Sequence, residues 1–185
     1  MAGIDESKPF IPISIAVLTV SDTRSLAEDR SGQTLVDRLE AAGHRLADRA
    51  IVKDDIEYIR ETVLGWTQRE DVDAVITTGG TGFTGRDVTP EALEPLFDKR
   101  MEGFSAVFHA ISFPKIGTST MQSRATAGLF GTTFVFVIPG SPGACKDAWD
   151  GILAQQFDYR HGPCNFVEIM PRLDEHLKRG TARPA

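Results

Sequence analysis

The chain has 185 residues, enough for one domain with a substantial core. Hydrophobic residues at 41% and charged residues at 25% are ordinary globular values, so neither a disordered nor a fibrous class applies. A net charge of −6 argues against a general nucleic-acid or membrane-surface binder, which needs a basic face; an anionic ligand has to be held by local arginines, loop amides or a divalent ion.

Cys145 and Cys164 are too few and too isolated for a metal knuckle or a disulfide framework, and read as free thiols in a reducing compartment. No run of about 18 apolar residues occurs, and the first residues lack the form of a signal peptide. The expectation is a soluble, cytoplasmic protein.

Strand and helix patterns alternate. Ile13–Val20 is a nearly continuous apolar run, as in a strand buried on both faces. Ser31–Ala42 reads as a helix with Leu35, Val36 and Leu39 on one side and Gly43 as its stop. His44–Val52 is a more polar strand, expected near an edge. Asp55–Trp66 is helical, with Ile56, Ile59, Val63 and Trp66 at helical spacing. Ala74–Thr78 is a short buried strand. Thr89–Phe97 and Glu102–Ile111 are helices on either side of a basic turn at Lys99 and Arg100. Thr133–Ile138 is a strand, and Gly143–Phe157 the helix after it. Residues 1–10 and 171–185 are expected to be flexible ends of one domain spanning 11–170. The segment Arg160–Pro171 is expected to dock on the surface or on a neighbouring subunit.

This order predicts a mostly parallel sheet covered by helices on both faces, with ligands bound outside the carboxyl ends of its strands. Three loops leave such ends: Ser21–Arg30, Gly79–Val88 and Pro139–Pro142. The second is the most informative segment of the chain. Ile76–Glu91 reads I-T-T-G-G-T-G-F-T-G-R-D-V-T-P-E, with four glycines in seven residues, Gly79 to Gly85. Backbone N–H groups exposed by such a loop are a place to hold phosphate.

Two familiar motifs nearly fit. Gly80, Gly82 and Gly85 match the dinucleotide fingerprint by letter, but there the third glycine lies inside the helix, whereas Thr89-Pro90-Glu91 reads as N-cap, N1 and N2 of a later one. Gly80, Gly85, Arg86 and Asp87 resemble a Walker A loop in which arginine replaces lysine and aspartate replaces the magnesium hydroxyl. The loop can still hold phosphate, by another design; the alternative is a plain glycine turn between strand and helix. After Thr133–Ile138 the logic recurs in Pro139-Gly140-Ser141-Pro142-Gly143, where Ser141 caps a helix begun by Pro142.

Asp87 is a candidate magnesium ligand. Asp54 and Asp55 follow the second strand, and either can approach Asp87 across the cleft; Asp54 reads equally as a helix cap. Ser21 and Asp22 read as ligand groups or turn caps. Arg124, after Ser123, reads as a donor fork for phosphate or as a surface arginine. None of His44, His109, His161 or His176 has a metal spacing. Phe97, Phe104, Phe108 and Phe113 read as core or subunit interface.

Three segments together resemble the molybdopterin-binding proteins of molybdenum cofactor biosynthesis: T-T-G-G-T-G-F-T-G-R-D-V-T-P-E-A at Thr77–Ala92, S-R-A-T-A-G at Ser123–Gly128 and I-P-G-S-P at Ile138–Pro142. The start F-I-P-I-S-I-A-V-L-T-V-S-D, M-E-G-F at Met101–Phe104, I-G-T-S-T-M-Q-S-R-A and the P-C-N-F ending look most like the B branch of that family. The resemblance implies a three-layer α/β/α fold with a mostly parallel central sheet. It implies binding of molybdopterin and Mg-ATP, with transfer of AMP to the molybdopterin phosphate and release of pyrophosphate. Carried onto this chain, the two essential acids, which also hold Mg²⁺, are Asp54 and Asp87. The pterin and nucleotide pocket is formed by Ser21, Asp22, Thr78, Gly79, Gly80, Thr81, Gly82, Ser123, Arg124, Pro139, Gly140, Ser141 and Pro142. A homo-oligomer, trimer or hexamer, is also implied. A non-catalytic pterin-binding protein with the same pocket is the competing expectation, and nucleotide pyrophosphate hydrolysis a third.

Overall fold

The computed structural model describes residues 3–175. The chain opens with β1 (Gly3–Ile4), then β2 (Ser14–Val20), α1 (Arg30–Ala41), β3 (Arg45–Val52), α2 (Ile56–Thr67) and β4 (Ala74–Thr78). Next come α3 (Thr89–Leu93) with a 3₁₀ turn at Glu94–Leu96, β5 (Lys99–Arg100), α4 (Glu102–Ile116) and a 3₁₀ stretch at Gly117–Gln122. The remainder is β6 (Thr126–Phe130), β7 (Thr133–Ile138), α5 (Pro142–Ala148), a π-helical segment Trp149–Leu153, α6 (Ala154–Gln156), β8 (His161–Gly162) and α7 (Phe166–Ile169), closed by a 3₁₀ turn at Met170–Arg172.

Six strands form the main sheet in the order β3-β2-β4-β7-β6-β5. The first four run parallel, whereas β6 and β5 are antiparallel to their neighbours. Strand alternation sorts side chains to two faces. Ile15 and Val17 of β2, Ala74 and Ile76 of β4, and Phe134 and Phe136 of β7 pack with Leu35 and Leu39 of α1, Phe104 and Phe108 of α4, and Ala148 of α5. Leu18, Val75, Val135 and Val137 face the other way, onto Ile59, Val63 and Trp66 of α2 and Leu93 of α3. The result is three layers, α/β/α. Phe136 is fully buried between strands, helices and the Phe157 and Phe166 rings; its replacement by alanine costs about 3–5 kcal/mol.

Several expectations are corrected. Thr126–Phe130, for which the sequence reading has no strand, is β6, and the basic turn at Lys99 and Arg100 is the edge strand β5. The helix expected over Gly143–Phe157 runs from Pro142 to Gln156, widened to a π-helical segment at Trp149–Leu153. Thr89 does not cap α3; it is the first helical residue, and its hydroxyl donates to the Gly79 carbonyl at 2.8 Å. Phe104 and Phe108 are core, Phe113 is exposed, and Phe97 packs on the opposite side of the sheet, so the four do not share a face. At the N-terminus, β1 pairs with β8 and the Phe10 ring lies against His44, which ties residues expected to be flexible to the body. Arg160–Pro171 docks on its own chain: Val167 is buried and Phe166 stacks against Phe134. The tail expectation beyond residue 175, and His176, lie outside the described residues.

Candidate functional site

Strand order places the cleft. The chain passes from β2 to β3 on one side and then to β4 on the other, so the loops after β2 and β4 diverge and leave a crevice between them. That crevice has a volume of about 480 Å³ and is walled by Ser21 to Arg24, Asp54, Gly79 to Gly82, Asp87, Gln122 and Pro139 to Ser141. The three loops expected to face one another do so.

The glycine loop is held from below. Gly79 N–H donates to the Ile138 carbonyl at 3.1 Å, and Thr89 N–H to Gly80 O at 2.9 Å. Gly79 has φ +106° and Gly80 φ +63°, backbone in the left-handed region that L side chains avoid. Space excludes a side chain as well: a Cβ on Gly79 would lie 2.2 Å from Val20 O, and one on Gly80 2.3 Å from Thr89 Oγ1. Amides of Gly80, Thr81 and Gly140 donate to no protein acceptor among the described residues. Three unpaired N–H groups on two converging loops are donors suited to an anion.

Three carboxylates flank these amides. Asp87 accepts from Thr84 N–H at 3.0 Å and Thr84 Oγ1 at 2.5 Å. Its partial burial raises the carboxyl, but the Thr84 hydroxyl and the Thr84 and Gly82 amides outweigh this and hold it below its ordinary value, as a carboxylate. Asp54 is the opposite case: burial first, then the charges of Asp22 and Asp87, push it up. The helix cap of α2 is Asp55, whose carboxylate accepts from Glu57 and Tyr58 N–H. Asp54 is thereby left free to face the cleft. Asp22 is lowered by a bidentate bond from Arg86, at 2.9 and 2.7 Å, and also accepts Asp54 N–H at 3.2 Å.

No group of three or more His, Cys, Asp or Glu side chains among the described residues is arranged to hold a metal alone. Asp54 and Asp87 nevertheless fit a hard divalent cation. Both offer hard oxygen donors, and Asp54, raised chiefly by burial and then by the Asp22 and Asp87 charges, forms no ion pair among the described residues. Two carboxylates with ligand phosphate oxygens would complete such a coordination shell.

Other expected residues serve the cleft from behind. Thr78 is fully buried, and its hydroxyl donates to Pro139 O at 3.1 Å and lies 3.3 Å from Cys145 Sγ, joining the two loops. Burial pushes the Cys145 thiol up to about 11. Ser141 caps α5, accepting Ala144 N–H at 3.1 Å. Arg124 is not aimed into the cleft as a free fork: its Nε donates to Thr81 O at 3.1 Å, its Nη2 to Asp87 O at 2.9 Å, and its Nη1 pairs with Glu91. It braces the glycine loop. Ser123 contributes its carbonyl to His109, and Pro142 lines an adjoining hollow with Thr23, Arg24 and Arg30. Sequence reasoning missed Thr23, Arg24 and Gln122. Arg24 donates to Ser31 Oγ and Gly140 O, joining the first and third loops; only its position just after the first strand signalled it, and nothing in the sequence signalled Gln122.

An open, mostly parallel sheet with glycine-loop amides and carboxylates converging at the carboxyl edge of its strands defines a three-layer α/β/α domain with one cleft at that edge. The sequence matches the family described as "Probable molybdopterin binding domain" over residues 16–158. Molybdenum cofactor biosynthesis protein B of Escherichia coli (strain K12) is 51% identical over 160 residues, covering 86% of this chain and 94% of that protein. A crystal structure of a molybdenum cofactor biosynthesis protein B superposes with a TM-score of 0.78 at 39% identity, over 93% of this chain and 99% of that one. The tungsten cofactor synthesizing protein MoaB from Pyrococcus furiosus gives 0.71 at 35% identity, over 79% and 93%. The chain belongs to the MoaB/Mog family of molybdopterin-binding proteins, in its B branch. Among the described residues, no helix is long and apolar enough to cross a membrane.

Proposed function

We propose that this protein acts in molybdenum cofactor biosynthesis by transferring AMP from ATP to the terminal phosphate of molybdopterin. A phosphate oxygen of the pterin attacks the α-phosphorus of ATP; the bond from that phosphorus to the bridging oxygen breaks, and pyrophosphate leaves. Unpaired amides of Gly80, Thr81 and Gly140 orient the phosphates where charge accumulates. Asp54 and Asp87 would hold the magnesium of Mg-ATP, which would supply charge neutralisation for the transferring group and pyrophosphate. No side chain has to move a proton, because the attacking phosphate is already ionised. Ser21, Asp22 and Ser141 line the same cleft and are assigned to substrate contacts. Assembly as a homo-oligomer, trimer or hexamer, is part of this reading.

The observation that supports it is the convergence of the unpaired amides of Gly80, Thr81 and Gly140 with the Asp54 and Asp87 carboxylates on one cleft. Incubation with molybdopterin, Mg²⁺ and α-labelled ATP tests it. Wild type transfers label to the pterin, and Asp87→Asn loses turnover by about a hundredfold or more while keeping its fold. Equal turnover in Asp87→Asn rejects the assignment. Pterin binding without label transfer identifies a binding protein, and AMP release without pterin a pyrophosphohydrolase.

A further inference from the structure

The cleft is lined unevenly with charge. Among the described residues, its walls carry three carboxylates, Asp22, Asp54 and Asp87, and Arg24 as their single cationic side chain. The two signs belong to opposite layers. Asp54 and Asp87 stand shortly before α2 and α3, which cover the sheet face bearing Leu18 and Val75. Arg24 is fastened to the other layer: its Nη1 donates to Ser31 Oγ on α1 at 3.0 Å and to Gly140 O, ahead of α5, at 3.3 Å. Ser31 is fully buried, and its hydroxyl in turn donates to Asp29 Oδ1 at 3.2 Å. Asp29 is buried as well and is held by Thr19 Oγ1 at 2.8 Å, Gly32 N–H at 2.8 Å and Arg49 Nη2 at 3.0 Å. The guanidinium of Arg24 is thus set in place by a buried network beneath the first loop.

Both hydrogens of Nη1 are used in these bonds, and the Nε–Nη2 edge meets no protein acceptor among the described residues. That edge is a planar fork able to pair with two phosphate oxygens at once. In Arg86 the same edge is closed on Asp22, and Arg124 is spent on Thr81 O, Asp87 O and Glu91. Which phosphate Arg24 takes follows from the flank it occupies. Metal-bound phosphates belong beside Asp54 and Asp87, whereas a metal-free dianion there would meet like charge. In-line displacement also sets the attacking oxygen opposite the leaving pyrophosphate. We propose that Arg24 binds the terminal phosphate of the pterin on the α1–α5 side of the cleft, with Ser31 as the positioning residue that holds its guanidinium. The choice of substrate rests on the AMP-transfer reading; the open fork and its anchor do not.

Calorimetry on the full chain, without ATP or divalent metal, compares binding of molybdopterin with that of its phosphatase-treated form. Arg24→Gln should weaken molybdopterin about ten- to a hundredfold, the worth of a charge-assisted fork, and leave the dephosphorylated pterin unchanged. Arg24→Lys keeps the charge without the fork and should recover only part of the loss. Ser31→Ala should weaken molybdopterin in the wild-type background and have no further effect in Arg24→Gln, the non-additivity expected of one coupled pair. Mg-ATP affinity should be unchanged by Arg24→Gln. Arg30, exposed at the start of α1 and outside the cleft wall, is the control for charge alone, and Arg30→Gln should bind molybdopterin as wild type does. Equal loss for both pterin forms, equal loss in Arg30→Gln, or a loss confined to Mg-ATP overturns the proposal. Because no ATP is present in the pterin titrations, the two readings fail separately. A phosphate-dependent loss in Arg24→Gln supports the grip even where no label is transferred, and transfer by wild type with undiminished molybdopterin binding in Arg24→Gln overturns the grip alone.

Discussion

Replacing Gly79 by alanine should damage both stability and the cleft, because two independent costs fall on one methyl group. Its φ of +106° places the backbone where an L residue costs about 1–2 kcal/mol. The added Cβ would sit 2.2 Å from the carbonyl oxygen of Val20, at the end of the neighbouring strand. That oxygen belongs to the sheet rather than to a flexible side chain, so relief requires parting β2 from β4, an overpacking cost of about 1–3 kcal/mol. The total is about 2–5 kcal/mol, a fall in melting temperature on the order of 10 °C for a chain of this size. Gly85→Ala is the control: its φ is not positive, no atom lies within 4 Å of the added methyl, and its stability should stay within about 0.5 kcal/mol of wild type. Urea and thermal unfolding of the two variants make the comparison. A Gly79→Ala protein melting within about 2 °C of wild type would refute the argument that the loop is pinned by β2.

Further expectations follow from the charges. Asp54 is raised by burial and by the Asp22 and Asp87 carboxylates, so in the absence of ligand the folded protein loses stability as pH rises from the unfolded value through the folded one. Asp54→Asn should therefore raise the melting temperature at neutral pH while weakening Mg-ATP binding in calorimetry; a lower melting temperature contradicts this. Arg124→Lys keeps the charge but cannot span Thr81 O, Asp87 O and Glu91 together, and should behave like Arg124→Ala in ATP affinity, whereas full rescue by lysine would make it a simple point charge. His44 is pushed down to about 4 by burial, against an opposing pull from Asp158, and its Nδ1 accepts Ile13 N–H. The unfolded chain then takes the proton first, so stability present above pH 6.5 is lost as pH falls toward about 4, with a slope of up to about 1.4 kcal/mol per pH unit. His44→Gln should flatten that slope in a pH series of urea melts.

Much of the fold is legible because the central strands are local signals. Ala74–Thr78 and Thr133–Ile138 have the bounds expected from their apolar runs, and the polar strand His44–Val52 sits at the sheet edge as β3, beginning at Arg45. Strand β6 is not legible, because T-A-G-L-F carries small residues that β-propensity disfavours; its Gly128 lies under the Phe97 ring, a contact set by distant chain. The π segment likewise depends on packing around Trp149 rather than on any sequence mark. At the site, the loops are legible from their place after strands, whereas the roles of single side chains are not. Thr89 reads as a helix cap in sequence and Arg124 as a phosphate fork or a surface arginine, yet each turns inward to hold the glycine loop. Asp54 and Asp55 are adjacent and alike; only the helix-capping bonds of Asp55 decide which one faces the cleft.

The central claim is that AMP becomes joined to the pterin phosphate in this cleft. Phosphorus NMR of the reaction with molybdopterin, ATP and Mg²⁺ reads that bond directly. The account predicts a new pair of coupled phosphoanhydride phosphorus signals, one from AMP and one from the pterin phosphate, appearing with stoichiometric pyrophosphate and absent with Asp87→Asn. An unchanged pterin monoester signal after prolonged incubation, with the pterin demonstrably bound, would contradict it.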